Sequence, residues 1–137
     1  MKQLVAFFLM LLSSSTWSSQ AEHIFVENAW MPIAPTNSTV RAVYLSIQNN
    51  SDHLAKLTKV HSPNSQAIEL HTHQHQQDGM MKMRKLDYIT IPANGKITLK
   101  PHGDHLMLFD FHTTDNFPIT LEFADGSHIT TTVKQTK

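Results

Sequence analysis

The stretch Tyr88-Ile89-Thr90-Ile91-Pro92-Ala93-Asn94-Gly95-Lys96-Ile97-Thr98-Leu99 decides how this chain folds. Two short runs rich in β-branched residues flank Pro-Ala-Asn-Gly, a cluster that ends one strand and turns the backbone toward the next. The same rhythm recurs on both sides. Toward the N-terminus it gives Ile24-Phe25-Val26, then Val40 to Ile47 stopped by Asn49-Asn50-Ser51-Asp52, then Leu54 to Val60 ended by Ser62-Pro63-Asn64, then Ala67 to His71. Toward the C-terminus it gives Leu106 to Phe111, Ile119 to Phe123, and Ile129 to Val133 after the hairpin signal Asp125-Gly126. Pro32 and Pro35 break a loop that reaches Ser38. No segment holds helical apolar spacing for more than two turns. Short strands at intervals of roughly eight to twelve residues predict one all-β domain, an antiparallel sandwich or barrel with no internal repeat.

The first residues stand apart. Lys2 is followed by an apolar run from Leu4 to Leu12, a serine-rich stretch, and the small-x-small pattern Ser19-Gln20-Ala21. The run is too short to span a bilayer, so residues 1–21 read as a secretory signal cleaved near Ala21/Glu22, with residues 22–137 as the mature domain. The sequence has no cysteine, so neither a lipidated N-terminal cysteine nor a disulfide framework is expected. About 116 residues remain, enough for a single core without staples. Lys2 is one of eleven basic residues against eleven acidic ones, so its loss leaves a charge of about −1. No basic patch emerges, which argues against nucleic acid as a partner. Ten histidines are a clear excess and point to metal or pH chemistry.

Those histidines concentrate with methionines between positions 71 and 107: Glu69-Leu70-His71-Thr72-His73-Gln74-His75, Gly79-Met80-Met81-Lys82-Met83, and His102-Gly103-Asp104-His105-Leu106-Met107. Imidazole and thioether are neutral, soft donors that suit Cu(I), whereas Zn(II) gains little from a thioether. His105 and Met107 are two apart in a strand-like run and share a face, with Leu106 and Leu108 turned to the core. The other half depends on the turn at Asp78-Gly79. A two-residue turn would pair Met83 with Gln74 and aim it away from His71. A three-residue loop, Gln77-Asp78-Gly79 with Gly79 left-handed, would pair Met83 with His73 and put His71, His73, His75, Met81 and Met83 on one face. Both registers are open at this level. The candidate ligands are His71, Met83, His105 and Met107, with His73, His75 and Met81 as accessory candidates.

These words resemble the PCu(A)C family of periplasmic copper chaperones. The family pattern is a His, often followed by Met, then ten residues, a Met, twenty-one residues and His-x-Met; His71-Thr72, Met83 and His105-Leu106-Met107 fall on it at that spacing. Glu69-Leu70-His71, Asp78 to Arg84, Ile91 to Gly95, His105 to Leu108, Asn28-Ala29-Trp30 and Tyr44 to Ile47 also resemble family text, so the likeness covers nearly the whole mature chain. The resemblance implies a cupredoxin-like Greek-key β-sandwich carrying one Cu(I) per chain. It further implies a periplasmic monomer that is not an enzyme. The copper would go to a cuproprotein during assembly of the cytochrome c oxidase CuA site, through oxidase subunit II or a Sco-type thiol protein. Thr72 stands where Met is common, and the chain ends at Gln135-Thr136-Lys137 without a His- and Met-rich tail, so a second Cu(II)-type site on such a tail is not expected.

Other classes remain. His71-x-His73-x-His75 offers three nitrogens to an extracytoplasmic zinc- or general metal-binding module, which Met83→Ala and Met107→Ala would leave intact. A copper oxygenase would need His23 as the mature N-terminus, one residue beyond the expected cleavage. A blue-copper electron carrier needs a cysteine thiolate, and there is none. An adhesion or scaffold sandwich would bind no copper. His102 reads as exposed, His53, His61, His112 and His128 as surface residues, and Trp30 and Met31 as core or rim.

Overall fold

In the computed structural model, the described residues are 18–34, 37–113 and 115–136. The expected signal therefore lies almost wholly outside them. A 3₁₀ turn, Gln20–His23, which the sequence did not suggest, leads into ten strands: β1 (Ile24–Pro32), β2 (Arg41–Asn49), β3 (Ala55–His61), β4 (Ala67–His75), β5 (Met81–Leu86), β6 (Ile89–Ile91), β7 (Lys96–Leu99), β8 (His105–Phe109), β9 (Phe117–Phe123) and β10 (His128–Thr136). Residues at the expected cleavage point rest on the domain. The Gln20 amide donates to Asp125 Oδ2 and the Ala21 amide to Ser127 Oγ, at 2.7 and 2.9 Å.

Hydrogen bonding follows the order β5-β4-β8-β2-β1-β10-β9-β3-β6, with β7 beside β2. β1 links the two layers of the sandwich. Its first half pairs antiparallel with β2, the backbone bulges between Glu27 and Trp30 with Asn28 left-handed, and its last residues run parallel to β10. A bulge bends a strand and re-aims the residues beyond it, which lets one strand serve both layers. That parallel pair is the departure from a purely antiparallel expectation, and it joins two strands far apart in the chain.

Alternation fills the interior. Phe117, Ile119, Leu121 and Phe123 of β9 face inward, as do Val43, Leu45 and Ile47 of β2, Leu57 of β3 and Leu106 and Leu108 of β8. At roughly 1.5–3 kcal/mol per buried large apolar side chain, this face sets the register of every strand that touches it. Asn49, at the end of β2, is fully buried and fully used: Nδ2 donates to the carbonyls of His53 and Ile91, and Oδ1 accepts from the amide and hydroxyl of Ser51. Asn49→Ala should lower stability by on the order of 2 kcal/mol, because it strands buried groups as well as removing bonds. Urea unfolding checks this; a loss below about 0.5 kcal/mol would contradict it.

Candidate metal centre

The hairpin of β4 and β5 adopts the three-residue loop. Gly79 has φ +80°, its amide donates to the Gln76 carbonyl, and the Gln76 amide donates to the Met80 carbonyl. Asp78 Oδ1 accepts from the Met80 amide and holds the turn. A left-handed residue at that place is what glycine supplies at least cost. The register that results pairs His73 with Met83 and His75 with Met81. On the other side of β4, His71 pairs directly with His105, Leu70 with Leu106 and Glu69 with Met107. Paired residues share a face, so Glu69, His71, His73, His75, Met81, Met83, His105 and Met107 all lie on the face opposite Leu70 and Leu106.

Within that set the rings of His71 and His105 are 5.7 Å apart, and the ring of His73 is 5.1 Å from His105. His105 is 1% exposed and Met107 9% exposed, while Met83 is 47% exposed on the hairpin. Met83 is diagonal to His71 across the β4–β5 ladder, a spacing that a long thioether can reach across. His75 and Met81 pair with each other farther along the hairpin. Thr72 pairs with Arg84 and turns away.

Each paired histidine keeps one nitrogen for its support and one free. Nε2 of His71 meets Glu69 Oε2 at 2.8 Å, and Nδ1 of His105 meets the Gly103 carbonyl at 3.1 Å. A carboxylate and a carbonyl only accept, so those nitrogens carry the protons. The other two, His71 Nδ1 and His105 Nε2, are buried with no hydrogen-bond partner. A buried acceptor left empty costs free energy, and a histidine oriented by a carboxylate or carbonyl with its second nitrogen open has the arrangement of a metal ligand. Two lone pairs on neighbouring strands, with Met107 two residues from His105 on the same face and Met83 diagonal to His71, are donor types that suit a soft ion such as Cu(I). Sequence reasoning missed the supports, although Glu69 and His71, two apart on a strand, could have been read as a same-face pair.

Burial pushes the His105 imidazole below its ordinary pKa, more than the Gly103 bond raises it. The His71 hydrogen bond holds the Glu69 carboxyl below its usual value, against partial burial and with help from Lys85. Tyr44 packs on His105 at 6.3 Å and Trp30 on Tyr44 at 4.9 Å, so aromatic rings cover the β2 side of the site.

The alternatives find less support. Among the described residues no three His, Asp or Glu side chains converge as a metal-holding group, so the His71/His73/His75 zinc reading lacks its triad. His23 precedes the β1 residue that pairs with Asn49, whereas β8 pairs with the opposite end of β2, so His23 is remote from the histidine pair.

Acid should destabilise the metal-free protein. The unfolded chain accepts a proton on residue 105 near pH 6.5 and the folded chain resists it, so stability is lost as pH falls from about 6.5 toward the depressed folded value. The slope is at most about 1.4 kcal/mol per pH unit, and urea unfolding of wild type and His105→Gln between pH 7.5 and 5.5 should show it flattened in the variant.

Comparison with known proteins bears on the family and the fold. The model of the family described as "LpqE-like: Putative lipoprotein LpqE-like" matches residues 24–134. "Putative lipoprotein Lxx21020" of Leifsonia xyli subsp. xyli is 25% identical over 119 residues, covering 84% of this chain and 70% of its own. The copper-bound PCuAC domain from PmoF2 superposes with a TM-score of 0.68 at 20% identity, over 82% of this chain and 92% of the domain. The solution structure of CuI-DR1885 from Deinococcus radiodurans gives 0.64 at 28% identity over 82% of this chain and 76% of its own. Apo-DR1885 gives 0.63 at 27% identity over 100% of this chain and 94% of its own. The chain belongs to the LpqE-like family, and its fold is the cupredoxin-like sandwich of PCuAC domains.

Proposed function

We propose that this protein is an extracytoplasmic copper(I) carrier that holds one ion between His71 Nδ1, His105 Nε2 and the thioethers of Met83 and Met107. The observation that carries the reading is the pair of buried, unpartnered imidazole nitrogens on directly paired strands. The CuI-bound form of DR1885, at 28% identity, supports copper(I) as the ion.

The donor set suits carriage rather than catalysis. Four neutral ligands hold a soft ion without a thiolate, and no general base is needed for any step. Met107 is enclosed and Met83 sits on an exposed strand, so one sulfur can be displaced by an incoming ligand while the other stays. The family resemblance supports a receiver among the cuproproteins, cytochrome c oxidase subunit II or a Sco-type thiol protein. Export to the periplasm rests on the N-terminal apolar run and on the lipoprotein naming of the relatives.

Anaerobic Cu(I) titration with X-ray absorption tests the site. The expected result is one tightly held equivalent with two nitrogen and two sulfur neighbours. Met83→Leu and Met107→Leu should each weaken it at least about tenfold, the equivalent of about 1.4 kcal/mol. Unchanged affinity in both variants, or a nitrogen-only shell, would remove the thioethers and with them the copper(I) reading.

A further inference from the structure

The histidine pair does not end the row of imidazoles. His73 lies on the same face as His71, and its Nδ1 donates to the Gly103 carbonyl at 3.3 Å, the oxygen that also orients His105. One carbonyl thus fixes two rings in the same tautomer and leaves Nε2 as the remaining lone pair on each. On the far side of His73 is His102, exposed and held at φ +65° in the Lys100–Asp104 turn, where a non-glycine residue is uncommon. The rings of His73 and His102 are 6.1 Å apart.

An imidazole nitrogen lies about 1.1 Å from its ring centroid and binds a metal at about 2.0–2.1 Å, so one ion can join two rings whose centroids are up to about 6.3 Å apart. The separations of 5.7 Å for His71–His105, 5.1 Å for His73–His105 and 6.1 Å for His73–His102 all fall inside that span. The last is close to the limit, which corresponds to a near-linear N–metal–N arrangement, with His102 open to solvent. A closed-shell d¹⁰ ion has no electronic objection to it.

We infer that His73 and His102 form a second, outer subsite for a soft monovalent cation, adjoining the enclosed site and sharing its wall through His73. The inference extends the copper reading by giving the ion a station between solvent and the enclosed ligands. Two imidazoles alone hold the ion more weakly than two imidazoles with two thioethers, so the outer station empties into the inner one. His73, within bridging distance of both His102 and His105, is the common member of the two steps.

Anaerobic Cu(I) titration of the full chain, followed by ¹H–¹⁵N spectra of the histidine rings, tests this. The expected result is a second equivalent, held at least about tenfold more weakly than the first, whose uptake moves the ring signals of His73 and His102. His102→Gln should remove that second step and leave the first within about twofold. The Met83→Leu/Met107→Leu double variant should lose the tight step and keep the weak one. The proposal is overturned if wild type takes up one tight equivalent and no weaker one, or if a weak equivalent persists in His73→Gln/His102→Gln. It is also overturned if His73→Gln weakens the first step tenfold, which would place His73 in the enclosed shell. Failure of the carrier reading looks different: the tight step is then missing while the weak one remains.

Discussion

The pairing of His71 with His105 across β4 and β8 is the constraint on which the site depends. Side chains on a strand alternate with a period of two, so a slip of one residue would exchange the two faces of β4. His71 and His73 would then turn into the apolar interior, and Leu70 would be thrown outward. The core prevents this. Leu70, Leu106 and Leu108 are buried at the register that brings the two imidazoles together, so the same apolar contacts that stabilise the sandwich also aim the donors. The site needs no separate device to fix its position on these two strands.

What the core cannot fix is β5, whose residues are exposed up to Arg84 and Lys85 with only Leu86 partly covered. There the turn decides. Gly79 in the left-handed region and the Asp78 cap on the Met80 amide set the loop at three residues, and that loop delivers Met83 to the face of His71. Position along the chain and position in space are therefore controlled by different forces at the two halves of the site. Hydrophobic burial governs β8, and local backbone chemistry governs the hairpin.

Much of this was legible in the residues. Proline, glycine and asparagine clusters marked nearly every strand end, because the reasons they stop strands are local. The alternation of Leu106 and Leu108 with His105 and Met107 told which face each would take. The hairpin register was not legible, since Asp78-Gly79 is compatible with two loop lengths and the choice rests on hydrogen bonds that only the folded backbone makes. The supports of the imidazoles were hidden for a similar reason: a backbone carbonyl such as that of Gly103 carries no signature in a sequence. His102 read as merely exposed, and exposed it is. Its nearness to His73 comes from a turn that joins β7 to β8 and from a backbone angle that composition does not predict. Strand limits moved by a few residues, with β4 reaching His75 and β8 ending at Phe109, because ladder partners extend or stop a strand regardless of its own preferences.

Beyond His71, β4 leaves the β8 ladder and continues beside β5 as a two-stranded ribbon, tied to the turn before β8 through His73. Such a ribbon is marginal in water by itself, and its distal part, from His73 to Met83, contributes none of the buried apolar side chains. Its opening is therefore a local event, with a free energy well below that of global unfolding. In the proposed carrier the thioether of residue 83 would ride on an arm that can lift away and return while the sandwich beneath stays folded, so the rate at which an ion is let go would be set by the fraying of a ribbon and not by the durability of the domain.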